Sequence, residues 1–138
     1  MSNVYGKAFN NCLESYLLFI FELFPNNVDI RTAYNGLLNI KKVNTTLIVK
    51  FWYSYVVQKY NDPIQKGDYE YFVNKEYTQD VLDTATDSTI SKQVIEGIEK
   101  MRKSIINMEV SDKEQWIRYM KQLNDLSILY FNSKQKLN

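Results

Sequence analysis

Ile90, Val94, Ile98, Met101, Ile105 and Met108 are separated by 4, 4, 3, 4 and 3 residues. An apolar stripe with that spacing fits one face of an α-helix. It does not fit a strand, whose faces alternate at every second residue. Trp116, Met120, Leu123, Ser127 and Tyr130 continue the pattern, widened by Ile117, Leu126 and Phe131. Between the two stripes stands Ser111-Asp112-Lys113-Glu114. This is a capping-box sequence, in which serine at the N-cap and glutamate three residues on satisfy each other's backbone donors. So short a link predicts an antiparallel helix hairpin over residues 88–132.

The same periodicity reaches the front of the chain. Val4, Ala8, Phe9, Cys12, Leu13, Tyr16, Leu17, Ile20 and Phe24 mark a first helix that stops at Pro25. Leu18, Phe19, Phe21 and Leu23 leave it little polar face, which predicts a central place in a bundle. Asn27 or Asn26 can cap a second helix, with Asp29 in its first turn, Lys41 and Lys42 at its end, and Ile30, Ala33, Tyr34, Leu37 and Leu38 inward. Gly36 costs about 1 kcal/mol relative to alanine within a helix, so a close helix crossing is expected there. A third helix begins at Asn44 or Thr45 and turns Ile48, Phe51, Trp52, Tyr55, Val56 and Tyr60 inward; Asn61-Asp62-Pro63 is expected to end it. Gly67-Asp68 reads as a turn and N-cap for a short helix anchored by Tyr71 and Phe72, and the polar run Asp83–Thr89 as a surface loop. With 138 residues, 45% of them apolar, the chain suffices for one core. The expected fold is all-α: a single-domain bundle of five to seven helices over residues 1–132, closed by the C-terminal hairpin, with residues 133–138 frayed.

Chemistry is constrained by what is missing. The chain has no histidine, the commonest general base and metal ligand, and one cysteine, which cannot form an internal disulfide. Cys12 lies on the inner stripe of the first helix and reads as a buried structural thiol. Asp80, Asp83 and Asp87 could share a helical face, but no further ligands or loop glycine complete a cation site. Glu14 and Glu22 each stand alone. There is no phosphate-binding glycine loop and no nucleophile motif, so neither an enzyme nor a cofactor is expected.

Lys50, Lys59, Lys66 and Lys75 are interleaved with Tyr53, Tyr55, Tyr60, Tyr69, Tyr71 and Tyr77. Aromatic side chains among lysines can stack nucleic-acid bases. The local charge opposes this, because residues 50–87 carry four basic and seven acidic side chains, whereas residues 88–138 carry nine and six. Nucleic acid is therefore not an expected partner. The N-terminus lacks the basic and apolar regions of a secretory signal, and the longest apolar run, Tyr16–Phe24, is too short to span a bilayer. Asn44-Thr45-Thr46 matches a glycosylation sequon whose use is not expected without such a signal.

Alanine is scarce at three residues, and lysine outnumbers arginine 14 to 3. Abundant Asn, Ile, Lys, Tyr and Phe, all with A/T-rich codons, suggest an A/T-rich genome. Against that background the middle of the chain runs Leu23-Phe24-Pro25, Asn44, Trp52, Val56, Tyr60, Ile64, Gly67-Asp68, Phe72, Lys75, Tyr77 and Asp80. This cadence, over residues 23–82, resembles small helical proteins of nucleocytoplasmic large DNA viruses, algal and amoebal relatives included. The resemblance implies a viral structural or protein-interaction role, such as a minor capsid or other virion-associated component, in the virion or the host cytoplasm and not secreted. Trp52, Tyr55, Tyr60, Asp68, Phe72, Lys75 and Tyr77 are the candidate partner-binding residues. Other virion proteins are the expected partners, and a second copy of the chain is admissible. The alternative is a Bcl-2-like helical antagonist of host signalling, which would need a central buried helix or a helix-binding groove.

Overall fold

The computed structural model describes residues 4–74 and 89–136. Among them every regular element is helical: α1 (Val4–Leu23), α2 (Val28–Val43), α3 (Leu47–Trp52), α4 (Gln58–Gln65), α5 (Tyr69–Asn74), α6 (Thr89–Lys103) and α7 (Val110–Lys136). A π-helical turn, Tyr53–Val57, joins α3 to α4 without a break, and a 3-10 turn, Ser104–Asn107, closes α6. Counting α3, the π turn and α4 as one rod, the described residues form six helices, within the expected five to seven.

Local chemistry explains most of the boundaries. Asn27 caps α2, its Oδ1 accepting from the Ile30 N–H at 3.1 Å. Pro63 does not stop the third rod, which runs on to Gln65. Proline removes one donor and disfavours helix just before it, but the rod needs only one more turn. That turn closes as a Schellman motif: the Gly67 N–H donates to Ile64 O at 3.1 Å and the Asp68 N–H to Pro63 O at 2.9 Å. Gly67 adopts φ +69°, a left-handed conformation that favours glycine. Asp68 then caps α5, its Oδ1 accepting from the Tyr71 N–H at 3.1 Å.

Several expectations need correction. α7 begins at Val110, and the Lys113 N–H donates to Glu109 O, so Ser111 lies within the first turn and is not its N-cap. α7 also continues to Lys136, through residues expected to fray. α6 packs chiefly along α2, and α7 along α1 and the α3–α4 rod; the seam expected between α6 and α7 is not where either makes its main backbone approach. Gly36 is not a close crossing, since a Cβ there would meet nothing within 4 Å. The crossing is at Gly97, where a Cβ would come within 3.1 Å of Leu37. α1 is not enclosed either: Asn11, Glu14, Ser15, Leu18 and Glu22 are exposed.

The core is rich in rings. Phe9 and Tyr16 of α1 meet the Trp52 indole edge-on, with centroids 5.8 and 6.4 Å away. Phe72 of α5 lies edge-on between Tyr60 and Trp116, and Tyr53 stacks flat on Phe131 at 4.1 Å. Edge-to-face pairing suits the ring quadrupoles and adds about 0.5–1.5 kcal/mol per pair beyond the burial itself.

Candidate functional site

The residues singled out from the sequence divide three ways. Trp52, Tyr55, Tyr60 and Phe72 are at most 2% exposed and build the core, so they offer no surface to a partner. Their helical spacing reads equally as a core face or a docking face, and the helices packed over them decide: α1 and α7 cover Trp52, and α6 meets Tyr55. Asp68 is exposed and works as the α5 cap. Lys75 and Tyr77 lie outside the described residues, as do Asp80, Asp83 and Asp87. Among the described residues no group of three or more His, Cys, Asp or Glu could hold a metal ion.

The structure gathers a buried polar cluster that the sequence reading misses. Glu99 and Arg102 stand one turn apart on α6, both at most 5% exposed. Arg102 Nε donates to Glu99 Oε1 at 3.1 Å and to Oε2 at 3.3 Å, and its Nη2 also pairs with Oε1. The Tyr55 hydroxyl donates to Glu99 Oε2 at 3.0 Å. Arg102 Nη1 reaches the Phe72 carbonyl at 3.3 Å, tying α5 to α6. A usable signal exists: Ile95, Glu99 and Arg102 form a helical row beside the apolar stripe, with opposite charges three residues apart.

A second network joins the third rod to α7. Trp52 Nε1 donates to Asn124 Oδ1 at 2.7 Å, and Asn124 Nδ2 donates to Asn61 Oδ1 at 3.1 Å. Gln65 Nε2 bridges Asn61 Oδ1 at 3.2 Å and Asp125 Oδ1 at 3.0 Å. The Ser127 hydroxyl donates to Val49 O at 3.2 Å, beside the π turn. Asn124 and Ser127 are fully buried, as polar groups can be only when bonded. Among the described residues, two buried side-chain atoms make no hydrogen bond, the Trp116 indole N–H and Asn10 Oδ1.

These environments suppress ionisation. Burial pushes the Cys12 thiol up to about 11, which keeps it protonated and poorly nucleophilic. Burial, reinforced for Tyr55 by the Glu99 carboxylate, raises the phenols of Tyr16 and Tyr55 well above the ordinary tyrosine range. A folded-state pKa above the unfolded one gives stability that is complete below about pH 10 and lost at more alkaline pH. Ultraviolet titration should therefore show Tyr16 and Tyr55 ionising only as the helices unfold. If all eleven tyrosines ionised before the circular-dichroism signal fell, that linkage would be refuted.

A surface groove of about 540 Å³ runs between α1 and α7, lined by Asn11, Cys12, Ser15, Gln115, Gln122 and Leu126 among others. None of its lining residues carries a charge. A second groove, about 340 Å³ between α2 and α6, is mixed in character, with Glu96 and Lys100 on its walls. No helix among the described residues is long and apolar enough to cross a membrane. No family model, curated protein or solved structure matches the chain.

Proposed function

We propose that the chain is a non-enzymatic protein-interaction component of a large DNA virus, a minor capsid or other virion-associated protein. The observation that carries the reading is how the buried polar groups are used. Glu99 and Arg102 neutralise one another, and each makes a further bond, Glu99 accepting from the Tyr55 hydroxyl and Arg102 donating to the Phe72 carbonyl. Groups so occupied hold helices together, and the raised thiol and phenol pKa values point the same way. The uncharged α1–α7 groove suits a polypeptide surface better than a charged small substrate. The resemblance over residues 23–82 and the A/T-rich residue usage support a viral setting. Partners are expected to be virion proteins, met in the virion or the host cytoplasm, and nucleic acid is not among them.

Mass spectrometry of purified particles tests this directly. The chain is expected to co-purify with virions through density gradients and to resist removal by protease treatment of the particle exterior. Absence from particles at every stage of infection would overturn the virion assignment.

A further inference from the structure

We infer that the face of α1 bordering the α1–α7 groove binds a second copy of this chain, making a two-fold symmetric, antiparallel helix pair. The inference deepens the interaction reading by naming one partner. An isologous interface meets its own surface, so an excess of one charge would repel itself. This face avoids that problem. Val4, Asn11, Ser15, Leu18 and Glu22 form its outward stripe and are all exposed, with exposed Lys7 beside them. The groove next to the stripe is lined entirely by uncharged side chains.

The few charges are placed for self-complementarity. Lys7 lies near one end of α1 and Glu22 near the other, fifteen residues apart, or about 22 Å along a helix. A two-fold axis between residues 14 and 15 puts Lys7 opposite Glu22 of the second copy, and Asn11 opposite its Leu18. Glu14 lies beside that axis, and its charge is met within its own copy by Lys41 of α2. Leu18, 44% exposed, supplies an apolar contact on each side of the axis.

Sedimentation velocity of the full chain over a concentration series tests this. The expected species has twice the 16.4 kDa chain mass. Leu18→Asp replaces the apolar contact with a carboxylate opposite the uncharged Asn11 of the second copy and is expected to weaken association about tenfold or more. Lys7→Glu alone should weaken it as well, and Lys7→Glu combined with Glu22→Lys should restore it, an outcome that general damage to the fold would not give. All three positions are exposed, and circular dichroism checks that the helices persist. If Leu18→Asp misfolds, the Lys7 and Glu22 series decides alone. A monomer at every concentration overturns the inference, as does a dimer indifferent to the charge reversals. Purified protein suffices, so this result is independent of whether the chain enters particles.

Discussion

Arg102→Met is expected to cost about 3–5 kcal/mol of folding stability, because it leaves Glu99 as a charge buried without its partner. This is a large share of the roughly 5–15 kcal/mol that holds a domain folded. Three effects combine. The carboxylate loses the Nε and Nη2 donors, the Phe72 carbonyl loses Nη1, and α5 loses its polar tie to α6. The pair itself need not be strongly stabilising, since burying two ions costs nearly as much as their attraction returns. The double variant Glu99→Gln with Arg102→Met should therefore be more stable than Arg102→Met alone, although it carries one more substitution. The amide oxygen introduced at position 99 would still accept from the Tyr55 hydroxyl, and no ion would remain inside. Urea denaturation of the two variants beside the parent chain gives the answer. Equal stability of Arg102→Met and the parent would mean that the pair is solvated, contrary to its burial.

Trp52→Ala is expected to cost a further 3–5 kcal/mol on the same scale, roughly the range for removing a large aromatic side chain from a core. The indole contacts Phe9 and Tyr16 edge-on and supplies the donor for Asn124 Oδ1. Trp52→Phe keeps a ring in place but orphans that acceptor, so an intermediate loss of about 1–3 kcal/mol is expected. The comparison separates two roles for the aromatic middle of the chain. Core residues lower the thermal midpoint when truncated, whereas interface residues leave the isolated protein stable and lose only binding. A folded, unchanged midpoint for Trp52→Ala would return Trp52 to the surface.

The fold is readable where a single helix carries its own evidence. Asn27 before Asp29, Gly67 before Asp68, and the stripe from Val94 to Ile105 each declare an element by local chemistry. Packing partners are less readable, because a stripe says that a face is buried and not against what. The α6–α7 link suggests a hairpin, yet α6 lies along α2, where Gly97 lets Leu37 approach. Gly36, on the exposed side of α2, carries the same residue type with none of that meaning. The candidate site is misread for a related reason. Trp52, Tyr55, Tyr60 and Phe72 look adhesive in sequence, and they are, but toward the chain's own helices. The Glu99–Arg102 pair hides because charged residues beside an apolar stripe normally face water.

The π turn at Tyr53–Val57 bears on how this chain can change length. Trp52 and Tyr60 are both buried and stand eight residues apart, whereas two α-helical turns take up about 7.2. The wider turn absorbs the surplus residue, so the rod enters and leaves it with the same face inward. A related chain lacking one residue there, for instance at the exposed Ser54, could run as an uninterrupted α-helix and still present Tyr60 and Ile64 to the core. Loss of a residue from the middle of α2 or α7 would instead rotate everything beyond it by about 100°. The third rod thus has a built-in place for a one-residue insertion or deletion, and alignments of distant relatives should be allowed a gap there.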